Sequence, residues 1–147
     1  MRSWRIVVAG TLALGLLAAA CGGGGGGGGS TTSPPAGGGG TVEIGGEQAN
    51  DHGSEDVSGA SRLELEADDF YFAPTILRGT AGERLSIEVV NEGNAAHTFT
   101  IDEQGIDEEL QPGGSATVEV TFPDSGTLVF YCRFHRSQGM LGGLEVA

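Results

Sequence analysis

Lysine occurs nowhere in the 147 residues, and only seven arginines stand against twenty aspartates and glutamates. Arg2 and Arg5 belong to the N-terminal leader, so from residue 21 onward five cations face twenty anions, a net charge of −15. A surface that acidic has no cationic stripe for phosphate and excludes nucleic acid as a partner; its plainest role is solubility. Long apolar runs are also missing. The apolar stretch of the leader, Ile6 to Ala20, is fifteen residues, short of the roughly 20 a helix needs to span a bilayer. Cysteine is scarce, and Cys21 and Cys132 lie in contexts too different for a disulfide between them to be expected. No segment stands out with the period of an amphipathic helix.

What is present begins with an address. Arg2 and Arg5 ahead of the apolar run form the basic and hydrophobic regions of an export signal. Leu17-Ala18-Ala19-Ala20-Cys21 resembles a bacterial lipobox, which implies cleavage before Cys21 and lipidation of its thiol. Ala18-x-Ala20 also fits an ordinary secretory cleavage site, and an uncleaved leader is a third reading. Gly22 to Gly29, Ser30 to Pro35 and Gly37 to Gly40 then read as a flexible tether. Thr41 to Ala60 stays polar, acidic and glycine-containing, so the expected organisation is signal peptide 1–20, lipidated Cys21 with a disordered linker 21–60, and a folded domain 61–147. His52 falls in that linker and is expected to be solvated. The expected location is extracytoplasmic, at the periplasmic or outer face of the cell membrane, with the lipid anchor as the membrane contact.

From Ser61 the pattern turns to short alternating runs. Leu63, Leu65 and Ala67 alternate with Glu64 and Glu66; Leu85, Ile87 and Val89 with Ser86 and Glu88; Ala116, Val118, Val120 and Phe122 with Thr117, Glu119 and Thr121. Turn clusters at Gly79–Gly82, Asn91–Asn94, Pro112–Gly114 and Pro123–Gly126 separate them. The fold class this predicts is all-β, an antiparallel sandwich of about seven or eight strands. Parity puts His97 on the apolar side of its strand with Phe99 and Ile101, and Cys132 on the same side as Leu128 and Phe130.

Cys132 is followed by His135 and Met140, with Gly139 just before the methionine, so one loop carries three donors. Thiolate, imidazole and thioether form a soft mixed set suited to copper in both oxidation states. Zinc on one cysteine and two histidines is chemically possible, but no base accompanies it and Met140 is left unexplained.

The segments Val129 to Met140 and Asn91 to Phe99 resemble those of the cupredoxin family, plastocyanin-like small blue copper proteins in particular, across nearly all of residues 61–147. The resemblance implies a Greek-key β-sandwich and one type 1 copper ion, with His97, Cys132 and His135 as equatorial ligands and Met140 as axial ligand. Phe134 stands where many members have proline, and Thr98 where many have an asparagine that ties the two ligand segments together. The implied function is single-electron transfer between redox proteins, without enzymatic chemistry. With His97 and His135 assigned to one copper, no imidazole of the domain remains for an oxygen-reducing cluster. Storage or delivery of copper is the alternative, and a metal-free interaction module a third. Phe134 and Leu141 are expected around the exposed edge of His135, with Arg133 and Arg136 as a local cationic spot for partner docking.

Overall fold

The computed structural model describes residues 39–146; the leader, Cys21 and the tether up to residue 38 lie outside the described residues. Twelve strands occur among them: β1 (Gly40–Ile44), β2 (Glu47–Asp51), β3 (Ser54–Asp56), β4 (Arg62–Asp68), β5 (Tyr71–Ala73), β6 (Ile76–Gly79), β7 (Arg84–Asn91), β8 (His97–Ile101), β9 (Ile106–Leu110), β10 (Ser115–Thr121), β11 (Gly126–Tyr131) and β12 (Leu141–Val146). They form a four-stranded sheet ordered β10-β7-β4-β5, a six-stranded sheet ordered β3-β6-β12-β11-β8-β9, and the separate hairpin β1-β2. Non-sequential neighbours, such as β4 parallel to β7 and β6 parallel to β12, give the crossovers of a Greek-key sandwich.

The alternation read from the sequence is the alternation of burial. Leu65, Ala67, Leu85, Ile87 and Val89 from one sheet meet Leu77, Phe99, Ile101, Phe130 and Leu144 from the other in a single core. Phe72 on β5 crosses between the sheets, with its ring edge-on to Phe99 at 6.0 Å and to Phe130 at 5.2 Å between centroids. Gly142 on β12 lies directly under the Phe130 ring, where any Cβ would overlap that ring and the Thr75 carbonyl.

Residues 40–60 are not a linker. β1 and β2 pair from Gly40↔Asp51 to Ile44↔Glu47. They turn through Gly45 and Gly46 at φ of 60° and 86°, values that suit glycine in a two-residue hairpin loop. Ile44 and Ala49 are buried with Leu141, and Val42, Ile76, Val129 and Tyr131 pack around them. This small cluster covers the face of the six-stranded sheet that points away from the main core. β3 adds a parallel edge strand beside β6, and Val57 reaches the main core. Glycine and acidic residues hide the signal: β1 contributes two apolar side chains, β2 one and β3 none. His52 is likewise not free in solvent: its ring stacks on Tyr71 at 3.4 Å and 7°. The strand number exceeds the expected seven or eight for the same reason, and because β5 and β6, broken by Pro74, are too short to show a period.

Removing the Ile44 side chain tests the place of the hairpin in the fold. Ile44→Ala is expected to cost about 2 kcal/mol or more, the range for emptying a buried aliphatic site, read as a lower urea midpoint. An unchanged midpoint would return this segment to the status of a linker.

Candidate metal centre

His97 opens β8 and Cys132 directly follows β11, and the pairing of Tyr131 with Thr100 brings those strand ends to the same end of the sandwich. The chain then closes a short loop through a 3-10 turn at Arg136–Gln138 and returns at Met140. His135 Nδ1 lies 3.1 Å from His97 Nδ1 and 3.5 Å from Cys132 Sγ, and Sγ lies 3.9 Å from His97 Nδ1. A point equidistant from these three atoms is about 2.0 Å from each, close to first-row metal bonds to imidazole nitrogen of roughly 2.0–2.1 Å and a little short of those to thiolate. All three residues fall in one metal-ligating cluster, with His97 and Cys132 buried. Met140 is fully buried and is joined to the same loop by its backbone: its carbonyl accepts from Cys132 N at 3.0 Å and its N–H donates to the His135 carbonyl at 3.2 Å.

Groups behind the donors hold them in place. Thr98 N–H donates to Cys132 Sγ at 3.3 Å, and the Thr98 hydroxyl accepts from Arg133 N at 2.8 Å. Threonine therefore makes a link between the two ligand segments where many relatives use asparagine. Thr98 and Thr100 are buried although parity puts them opposite the core, because their hydroxyls pair with each other and Thr100 donates to Asp107. The buried Asn91 side chain braces the approach to His97 by donating to the Ala95 and Leu110 carbonyls. From the hairpin, Asn50 N donates to the Gly139 carbonyl, and its amide donates to the carbonyls of Gln138 and Phe70, each at 2.9 Å. The hairpin thus braces a ligand loop that has Phe134 in place of a stiffening proline.

Two residues at the β4–β5 turn belong to the site and escaped the reading of the sequence. Phe70 packs on His135 at 4.5 Å and meets His97 edge-on at 6.3 Å. Asp69 places Oδ1 3.0 Å from His97 Nε2. Backbone N–H groups of Asn94 and Ala95 also donate to this carboxylate; Asn94 is the largest influence holding its carboxyl below the usual range. Their only mark in the sequence is an acid pair ahead of aromatics, Asp68-Asp69-Phe70-Tyr71-Phe72. At His135, burial pushes the imidazole below its ordinary range and nearby His97 adds to the effect, so the neutral, ligating form is favoured.

The expected docking residues fare differently. Phe134 is 44% exposed, the large apolar side chain of the described residues that faces solvent. Leu141 is 1% exposed, because its side chain fills the cluster under the β1-β2 hairpin, and it offers nothing to a partner. Arg133 and Arg136 do not form a free cationic spot. Arg133 Nε sits 2.7 Å from Asp107 Oδ1 and Arg136 Nε 3.0 Å from Glu47 Oε2, so each charge is matched within the chain.

Because Thr98 joins both ligand segments, Thr98→Val is the informative change: it keeps the shape and leaves Arg133 N–H without its acceptor. The expected loss is about 1 kcal/mol, the net worth of a hydrogen bond whose donor is only partly buried, measured by urea denaturation. A stability equal to that of the unaltered protein would show that the link carries no weight.

Comparison with known proteins agrees with this geometry. The model of the cupredoxin-like domain family matches residues 48–142. Plastocyanin A/B of Petroselinum crispum is 32% identical over 98 residues, covering 58% of this chain and 99% of that protein. Among solved structures, auracyanin from the photosynthetic bacterium Roseiflexus castenholzii superposes with a TM-score of 0.51 at 21% identity, over 60% of this chain and 98% of its own. The metal binding domain of the Streptococcus pneumoniae Cu(I) exporting P-type ATPase CopA does so with a TM-score of 0.51 at 17% identity, over 63% and 96%. These two show the fold alone. The family match spans well over half of a chain whose donors already converge, and the protein belongs to the cupredoxin family.

Proposed function

We propose that this chain holds one type 1 copper ion between His97, Cys132, His135 and Met140 and carries single electrons between redox proteins. The observation that carries the reading is the convergence of two Nδ1 atoms and one cysteine sulfur within 3.9 Å of one another. Two imidazoles, a thiolate and a buried thioether are a poor set for hydrolytic zinc and a good one for copper. When bound, copper supplies a one-electron centre that alternates between cupric and cuprous forms.

The protein's part is to keep the donors still. Cupric ions favour tetragonal surroundings and cuprous ions fewer ligands, so a cage that follows neither preference fully rearranges little when an electron arrives. Strands β8 and β11, the Thr98 links and the Asn50 bonds hold the cage from three sides. His135 is half-buried, and Phe134 beside it, with ring centroids 6.2 Å apart, opens the site to the surface. Half-buried Ala95 and Ala96 precede His97 in the chain. Apolar docking at Phe134 and His135 suits a redox partner better than docking on Arg133 and Arg136, whose charges are already matched. Lipidation at Cys21 is part of the same reading: a tether on the outer face of the membrane would raise the local concentration of carrier near membrane-bound partners.

The full-length protein with Cu(II) is expected to show an intense visible thiolate charge-transfer band, and Cys132→Ser to abolish it completely while far-ultraviolet circular dichroism stays unchanged. Electron exchange with a soluble redox mediator should outpace copper release to a chelator. Folded protein without the band would remove the copper-thiolate centre. Release faster than electron exchange would turn the assignment to copper delivery.

A further inference from the structure

Asp69 touches none of the converging donor atoms, yet its position is built as carefully as theirs. It lies in the turn between β4 and β5 of the four-stranded sheet, whereas His97 opens β8 of the six-stranded sheet. Oδ1 reaches His97 Nε2 at 3.0 Å and Ala95 N at 3.2 Å; Oδ2 accepts from Asn94 N at 3.0 Å and from the Asn94 side-chain amide at 3.4 Å. Space is kept for this pair. A Cβ on Gly93 would stand 2.5 Å from Asp69 Oδ1 and 2.9 Å from His97 Nε2, so a side chain there would force them apart.

The consequence for His97 follows from its burial. Its side chain has no exposure, so a proton on Nε2 has the carboxylate as its acceptor, and a buried donor is costly to leave unmet. With the proton held on Nε2, the Nδ1 lone pair is the one that faces Cys132 Sγ and His135 Nδ1. Carboxylates behind metal-bound histidines also make the imidazole a stronger donor, and their charge favours the more highly charged metal. Asp69 keeps a quarter of its side chain exposed, so solvent moderates that charge without cancelling it.

We propose that Asp69 is a positioning residue for His97: it fixes the Nε2-protonated imidazole, aims Nδ1 into the donor triangle, and favours the cupric over the cuprous state of the site. The inference rests on the copper reading given above. No bond is made or broken at Asp69 in a redox cycle; the electron comes from one redox partner and leaves to another, and the Nε2 proton stays where it is.

The test uses full-length, copper-loaded protein. Asp69→Asn removes the charge at nearly constant size, and Asp69→Glu keeps it. The asparagine variant should retain the charge-transfer band while cupric affinity falls about ten-fold relative to cuprous affinity, which for one electron raises the reduction potential by about 59 mV. The glutamate variant should shift by less than half as much. An asparagine variant with the band and an unchanged potential, or equal shifts in both variants, overturns the inference. If the asparagine variant does not fold, the cuprous form of the unaltered protein decides: an Nε2 proton on His97 protected from solvent exchange supports the role, and a bare or rapidly exchanging Nε2 refutes it. Absence of the charge-transfer band from the unaltered protein is a separate result, which removes the copper reading and this inference together.

Discussion

The site depends on Thr98. Its N–H reaches the sulfur of Cys132 while its hydroxyl receives the N–H of Arg133, so one residue on β8 fixes both the cysteine side chain and the start of the loop that follows. His97 is the preceding residue of the same strand, and its geometry is therefore set by the same backbone. Two ligands distant in the chain become neighbours through one strand-to-loop join. The remaining donors, His135 and Met140, are then a matter of closing a short loop, which their mutual backbone bond does.

Around that join the sandwich supplies rigidity in layers. Phe72, Phe99 and Phe130 lock the two sheets together beneath the metal centre. The β4–β5 turn lays Phe70 against both imidazoles and Asp69 behind one of them. Above, the N-terminal hairpin holds the ligand loop through Asn50 and through Glu47 with Arg136. Each layer comes from a different part of the chain, which is how a small domain keeps the three converging donors from drifting.

Much of this was legible in the residues. Strict alternation at Leu85-Ile87-Val89 and Val118-Val120-Phe122 marked strands with one dry face, and parity correctly sent His97 and Cys132 inward. Donor chemistry and loop spacing pointed to the centre itself. What was not legible lay where local pattern is thin. The β1-β2 hairpin has few apolar residues, and its partners Leu141 and Tyr131 are roughly ninety residues away. Asp69 resembles any turn aspartate until the fold brings His97 to it. Arg133 and Arg136 looked like free cations because Asp107 and Glu47 are near them only in space. Pairings of that kind are products of topology, and no window of neighbouring residues contains them.

A cage set by packing and hydrogen bonds should exist before the metal does, and structures of the protein without and with copper measure this directly. The expected result is that His97 Nδ1, His135 Nδ1 and Cys132 Sγ move by less than about 0.5 Å on loading, the tolerance of a preorganised site. Donors that lie scattered in the copper-free protein and gather only around the ion would contradict it.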